Sequence, residues 1–379
     1  MGKNDNLHKA RKNKNDEFYT QLADIEKELV HYVDFFKGKT VYCNCDDARE
    51  SNFFKYFYNK FEELGLKKLI ATGYKENSHG VVLVYEVDKN DNRIVDDEEI
   101  KVTELQGDGD FRSEECVEFL KEADVIVTNP PFSLFREYVK QLMDYEKKFL
   151  IIGNMNAITF KEIFPLIKDN KLWEGVSLNG TKCQFDVPEE YDGKNVFIDE
   201  FGKRKAKINN AIWFTNIEHK LRNTPLDLHK TYAGHEDEYP NYENYDAINV
   251  DKVSDIPIDY DGVVGVPITF LYKYNSKQFE IVALGIVGSC EFCNQRKMEI
   301  LDKSGKPTGK FTINARGALY KKYNPKVDKS PAFKDAETGE LYASIYARIL
   351  IRRKKEKAMK IELEKMCCKT YFFTFFSTF

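Results

Sequence analysis

The sequence predicts an α/β protein built on a doubly wound parallel sheet, and three observations predict it. Short apolar, β-branched runs at 40–45, 68–72, 123–128 and 149–153 alternate with segments of helical apolar period. Each run stops at polar or turn-forming residues, so it has the length of a buried strand rather than of a helix. The strand, helix, strand order supplies the long crossovers that parallel strands need. At 379 residues the chain has room for more than one domain.

Taken in order, the first fifteen residues carry Lys3, Lys9, Arg11, Lys12 and Lys14 with almost nothing apolar. They describe a mobile basic arm, read either as a solvated tail or as a segment tracking phosphates. Asp16-Glu17-Phe18-Tyr19-Thr20-Gln21 then leads into a helical period through Ile25, Leu29, Val33 and Phe36 that stops at Gly38. The run at 40–45 ends in Asp46-Asp47, and Phe53, Phe54, Phe57, Phe61 and Leu64 predict one helix over 50–64. A second strand closes near Gly73-Tyr74, and Val81 to Val87 reads as a hairpin arm with Ile94 and Val95 as its partner. Gly107-Asp108-Gly109-Asp110-Phe111 is a loop before a helix over 114–122, and a further helix is expected over 132–145.

Charge and cysteines narrow the class. The formal net charge is -4, so any affinity for nucleic acid rests on local basic surface. Nothing approaches the roughly 18 apolar residues of a membrane span, and the Lys/Asn-rich amino terminus does not resemble a secretory signal; a cytoplasmic location is expected. The eight cysteines are scattered rather than framed for disulfides. Cys290 and Cys293 form a metal-like pair without a second pair at zinc spacing, so buried thiols and no metal are the expectation.

The chemistry concentrates at Asn129-Pro130-Pro131-Phe132, directly after the run at 123–128. Two prolines end a strand, and the carboxyl end of a strand is where open α/β sheets place their sites. An exocyclic nucleobase amine is a poor nucleophile because its lone pair is delocalised into the ring. An Asn oxygen and the following Pro carbonyl each accept one of its N–H bonds, and accepting both localises that lone pair. Phe132 offers a face on which the base stacks. The same four residues also suit a plain Pro-rich turn after a core strand.

Three segments in order, 16–21, Tyr42-Cys43-Asn44-Cys45-Asp46-Asp47 and 129–132, resemble the EcoRI-type adenine-N6 DNA methyltransferase family. So do 148–154, 211–216, 245–250, 265–270 and 346–350, which extends the likeness over about 12–353. The resemblance implies a Rossmann-like S-adenosylmethionine-dependent sheet in 16–220, a DNA target-recognition region in 221–365, and a tail of unclear status from Met366 to Phe379. It implies that Asn129, Pro130 and Phe132 hold and stack a flipped adenine. Tyr19 and Thr20 would lie at the methionine end of the cofactor, Asp46 or Asp47 at its ammonium, and Asp110 and Phe111 at its adenine. Trp213 and Phe214 resemble a strand lining the target pocket, though they also suit plain core. The chain departs from the wider superfamily in lacking a glycine-rich turn after its first strand, and Glu76 is a weak candidate for the ribose acid.

For the carboxyl part, a turn-rich stretch over 236–245, strands over 268–274 and 279–287 and a hairpin turn at 303–306 are expected. Basic clusters at 203–205, Arg296-Lys297, Lys321-Lys322 and 352–355 are candidates for phosphate contacts or solvated faces. The implied partners are double-stranded DNA and a separately encoded restriction endonuclease, with the enzyme itself a monomer. RNA adenine or a protein glutamine amide is the alternative substrate, and a non-catalytic DNA-binding relative the alternative class.

Overall fold

A computed structural model describes residues 19–45, 47–75, 78–86, 99–179, 183–187, 195–208 and 210–354. The basic arm, Asp46, Glu76, Ile94, Val95, Lys355 and the tail from Met366 lie outside them. The chain divides into two compact units, Met1–Lys220 and Leu221–Phe379.

The first unit opens with β1 (Tyr19–Thr20), α1 (Leu22–Leu29) and α2 (Val33–Phe36), followed by β2 (Thr40–Cys43), α3 (Asn52–Asn59) and α4 (Phe61–Leu64). Next come β3 (Lys68–Gly73), β4 (Val81–Tyr85), β5 (Lys101–Glu104), α5 (Glu114–Glu122), β6 (Val125–Thr128), α6 (Phe135–Asp144), β7 (Lys148–Asn154) and α7 (Phe164–Lys168). The unit closes with β8 (Trp173–Asn179), β9 (Cys183–Asp186), β10 (Val196–Ile198), β11 (Arg204–Ile208) and β12 (Ala211–Thr215).

The main sheet has eight strands in the order β5-β4-β3-β2-β6-β7-β12-β8. Its centre, β3-β2-β6-β7, is parallel as expected. The flanks are not. Strands β4 and β5 run antiparallel on one side and β12 and β8 on the other, because short connections join β3 to β4 and β12 returns beside β7. Among the described residues β4 pairs with β3 and β5, whereas the partner expected at Ile94 and Val95 lies outside them. Every residue of β2 and β6 is buried, which is why these strands read as unbroken apolar runs.

Local signals set the helices. Ser51 caps α3 by accepting from Phe53 N–H (3.2 Å) and Phe54 N–H (3.4 Å), and Ser113 caps α5 through Cys116 N–H at 3.2 Å. The single helix expected over 50–64 is divided at Lys60, whose φ of -112° breaks the spiral. Gly65, at φ 60°, ends α4. The helix expected from Phe132 starts as a 3-10 turn, Phe132–Leu134, and becomes α-helical at Phe135.

Two buried carboxyls in this unit have opposite fates. Glu28 of α1 is fully buried and accepts from the Tyr32 hydroxyl (2.9 Å), Val176 N–H (2.8 Å) and Ser177 N–H (2.6 Å), which fastens α1 to β8. Glu174 is 4% exposed, and neither carboxyl oxygen has a hydrogen-bond partner among the described residues. Burial pushes its carboxyl up to about 8. The folded state therefore holds a proton that the unfolded chain releases at ordinary carboxylate pH. This contribution to stability is fully present below about pH 4, falls as pH rises, and is lost above about pH 8. Thermal unfolding followed between these limits will show that decline, and Glu174→Gln will flatten it; equal pH slopes in both proteins would refute the assignment.

In the second unit β13 (Ile248–Asn249), β14 (Val264–Pro267) and β15 (Phe279–Leu284) precede β16 (Lys297–Leu301) and β17 (Pro307–Ile313). Strands β18 (Tyr320–Lys322), β19 (Phe333–Asp335), β20 (Leu341–Ser344) and β21 (Arg348–Arg353) complete it. They form two sheets, β13-β14-β21-β15 and β17-β16-β19-β20-β18. The strand expected over 268–274 is a 3-10 helix, Ile268–Lys273: Pro267 stops β14, and Ile268, Phe270 and Leu271 turn into the core together. Strand β15 stops at Leu284, short of the expected Val287. The hairpin turn at 303–306 is present, with Asp302 N–H bonded to the Lys306 carbonyl at 2.9 Å. Among the described residues no helix is long and apolar enough to cross a membrane.

Candidate active site

The site is built on the carboxyl ends of β2, β3 and β6. Asn129 follows β6 directly and is 8% exposed. Pro131 gives its carbonyl to Leu134 N–H at 2.9 Å, which starts the 3-10 turn, and Phe132 packs half-buried on the core of the unit.

Asn44, one residue beyond β2, holds this turn in place. It is 2% exposed; its carbonyl accepts from the Thr128 hydroxyl and its Oδ1 from the Tyr138 hydroxyl. One residue thus ties the end of β2 to the end of β6 and to α6. Tyr138 lies wholly buried, which raises its phenol well above the usual range and keeps it a donor.

The turn after β2 shows how the chain manages without glycines. Cys45 adopts φ 68°, the left-handed region that a glycine-rich turn would supply, at a cost of roughly 1–2 kcal/mol. Asp47 accepts from Arg49 N–H (2.9 Å) and Glu50 N–H (3.4 Å), so its carboxylate also shapes the entry to α3.

The Tyr19-Thr20 segment reaches the same end of the sheet. Strand β1 pairs with β9, and the Thr20 carbonyl accepts from Asn52 Nδ2 at 2.7 Å, where Asn52 opens α3. Thr20 Oγ1 and Gln21 Nε2 are buried with no hydrogen-bond partner among the described residues. A buried polar atom left this way costs free energy, which a bound polar ligand recovers.

On the other side, the loop before α5 lies against the end of β3. A Cβ on Gly109 (φ 85°) would meet the Gly73 carbonyl oxygen at 2.3 Å, so only glycine fits. Asp110 pairs with Arg112 at 2.5 Å, and Arg112 reaches Glu137 of α6 at 3.3 Å. Burial works to raise the Asp110 carboxyl, but the Arg112 guanidinium outweighs it and holds the group below the ordinary value. Phe111 is 5% exposed and meets Tyr138 edge-on, with ring centroids 5.0 Å apart. A continuous path of contact therefore runs from Phe111 through Tyr138 and Asn44 to Thr128.

Trp213 and Phe214 do not join it. Both are fully buried on opposite faces of β12, Trp213 against Phe53 and Phe214 against Phe135, and they are core. Among the described residues no three potential ligands gather for a metal. The thiols are not uniformly buried: Cys43 and Cys116 are, whereas Cys45 and Cys290 are half-buried and Cys293 is exposed.

The family described as adenine-specific methyltransferase EcoRI matches residues 6–354. The chain belongs to that family. It is 51% identical over 305 residues to the Type II methyltransferase M.EcoRI of Escherichia coli, covering 76% of this chain and 94% of that protein. It is 40% identical over 280 residues to M.MgeORF184P of Mycoplasma genitalium, covering 73% and 85%, and to M.MpnI of Mycoplasma pneumoniae, covering 73% and 84%. Both are also Type II methyltransferases by name.

Membership in the EcoRI family accounts for the motifs that sequence reading had found; it did not reveal the residues that hold them. Asn44, Thr128, Tyr138 and Arg112 are such supports. The available signal was a single polar residue, Asn44, closing an otherwise buried run, which demands a partner.

Proposed function

We propose that this methyltransferase modifies N6 of adenine at a specific sequence in double-stranded DNA, with S-adenosylmethionine as donor. The observation that carries the reading is the Asn129-Pro130 turn, fixed at the end of β6 by Thr128 and Asn44, in a unit where Thr20 and Gln21 carry buried polar atoms without a hydrogen-bond partner among the described residues. The designation of the three relatives as Type II methyltransferases supports DNA as substrate and a restriction-modification setting, and a separately encoded restriction endonuclease is the partner this reading expects.

The residues would work as follows. Asn129 Oδ1 and the Pro130 carbonyl accept the two N–H bonds of the target amine, because the Pro131 carbonyl is already taken by Leu134. Accepting both draws the nitrogen towards tetrahedral geometry and leaves its lone pair directed at the donor. Asn129 has no basic group, so it orients and polarises without removing a proton. Phe132 stacks on the base, which has to leave the duplex to reach a residue as enclosed as Asn129. The residues present fit the cofactor: Thr20 and Gln21 would offer polar atoms to its methionine end, Asp47 a carboxylate to its ammonium, and Asp110 and Phe111 an acceptor and an apolar face to its adenine, while Asp46, the alternative at the ammonium, lies outside the described residues. When bound, S-adenosylmethionine supplies the electrophilic methyl group.

This reading assigns catalysis to 16–220 and sequence recognition to 221–365, in a cytoplasmic monomer. Labelled methyl transfer to mixed-sequence duplex DNA, followed by digestion to nucleosides, tests it; the expected product is N6-methyladenine. Label appearing only in RNA or protein glutamine would overturn the substrate, and absence of cofactor binding would overturn the enzyme. Thr20→Val supplies a further check. It will weaken S-adenosylmethionine binding about tenfold, while the melting temperature of the free protein holds or rises because a buried unsatisfied hydroxyl has gone. Unchanged affinity on titration calorimetry would remove Thr20 from the site.

A further inference from the structure

The basic clusters named from the sequence are largely neutralised within the fold. Lys205 pairs with Asp199 at 2.9 Å, and Arg352 with Glu280 at 2.8 Å. Arg296 lies among Glu243, Asp335 and Glu340, and Lys321 is 3% exposed on Asp328 at 2.8 Å. Lys297 is not paired among the described residues, and it belongs to a basic surface in the second unit at the β16–β17 hairpin and the turn after it.

Strand β17 is an edge strand, exposed along nearly its whole length, with Phe311 53% and Ile313 58% exposed. Lys297 covers Phe311, its Nζ 5.0 Å from the ring centroid. Lys303, Lys306 and Lys310 project from the same hairpin, and none of these lysines has an ion-pair partner among the described residues. The hairpin's acids are engaged locally: Glu299 accepts from Gly309 N–H at 3.2 Å, and Asp302 from Ser304 N–H (2.8 Å) and Lys306 N–H (2.9 Å).

Directly after β17 the backbone runs left-handed for four consecutive residues: Asn314 (φ 47°), Ala315 (φ 50°), Arg316 (φ 59°) and Gly317 (φ 74°). Three of them carry a Cβ, and each such residue costs roughly 1–2 kcal/mol. The surroundings impose this conformation. Asn314 N–H bonds the Arg296 carbonyl at 2.8 Å, Ala315 is buried against Met298 and Tyr320, and Val287 N–H bonds the Gly317 carbonyl at 2.8 Å. A Cβ on Gly317 would stand 2.5 Å from Val287 Cβ. The outcome is an exposed Arg316 on a rigid, strained support, its guanidinium without a hydrogen-bond or ion-pair partner among the described residues. Arg296, Arg348 and Arg352 of the same unit are each held by carboxylates.

We propose that the β16–β17 hairpin is a DNA-docking ribbon and that Arg316 reads base edges from its strained turn. The inference rests on the reading of the chain as a DNA methyltransferase. Duplex DNA fits the surface because unpaired lysines and an arginine meet phosphates, and because a two-stranded ribbon enters the major groove. A backbone fixed by its surroundings presents the side chain from a set position, so only the rotamers of Arg316 remain to be ordered on contact.

The test uses the full chain, S-adenosylmethionine and plasmid DNA of mixed sequence, with methylated adenines mapped. Arg316→Ala is expected to slow methylation of the wild-type sites roughly 5- to 150-fold and to extend it to sites differing at one position. Lys310→Ala is expected to weaken DNA binding evenly across sequences and to lower the log–log salt slope by about one. Arg316→Gly separates support from contact: it should lose the same selectivity yet raise the melting temperature of this unit by about 2–4 °C, because glycine relieves the strain. Wild-type site pattern and rate in Arg316→Ala would overturn the proposal, as would slowing at all sites alike, which marks a phosphate contact. No methyl transfer to DNA by the wild type would instead remove the functional reading on which it stands.

Discussion

Asn129→Ala is expected to cut methyl transfer by about 10²–10³-fold while S-adenosylmethionine binding persists. The side chain stands one residue beyond a wholly buried strand and belongs to a turn fixed by prolines and by Asn44. On the proposed mechanism truncation removes one of the two acceptors that would localise the amine's lone pair, a contribution felt mainly in the transition state. The loss should therefore fall on kcat more than on KM. Single-turnover transfer of labelled methyl measures it directly. A rate within tenfold of wild type, with the cofactor site saturated, would mean that the amine is held elsewhere.

Glu28→Ala should be the most destabilising single change in the first unit, by about 3–5 kcal/mol. The buried Tyr32 hydroxyl and the part-buried Val176 and Ser177 N–H groups lose their acceptor together, and each unsatisfied buried group costs about 1–3 kcal/mol. Glu28→Gln keeps one acceptor oxygen and should lie between the two. Urea unfolding followed by far-ultraviolet circular dichroism decides it; a loss below about 1 kcal/mol would show that the α1–β8 tie is dispensable. The two predictions also separate by phenotype: the first variant should fold normally and fail to turn over, the second should turn over whenever it is folded.

Much of the first unit was legible because its strands are buried on both sides. Val125–Thr128 and Lys148–Asn154 have compositions that leave little alternative to central parallel strands. What composition does not carry is direction. The four central runs are parallel as read, and Val81–Tyr85, read as a hairpin arm, is antiparallel to its neighbours, but nothing in Ala211–Thr215 announces that it returns antiparallel beside β7. Ile268–Lys273 misled for a related reason, since a short apolar segment behind a proline suits a buried turn as well as a strand.

At the site the proline turn announced itself through residue type, whereas its supports did not. Tyr138 meets Asn44 across 94 positions of sequence, a separation that no local pattern encodes. Arg316 was hidden for another reason. It sits alone, without the neighbouring basic residues that make clusters noticeable, while the clusters that were noticeable are paired inside the fold. Isolation in sequence and availability in space went together.

The position of Asn44 has one more consequence. Its carbonyl and side chain hold the end of β6 and helix α6, while its own strand leads into the turn at Cys45, on the side proposed for the cofactor. The two substrates would then share a mechanical part, and a ligand that settles one side lowers the entropy cost of ordering the other. Coupling of that kind is symmetrical: to whatever factor the donor tightens binding of the target adenine, the adenine tightens binding of the donor.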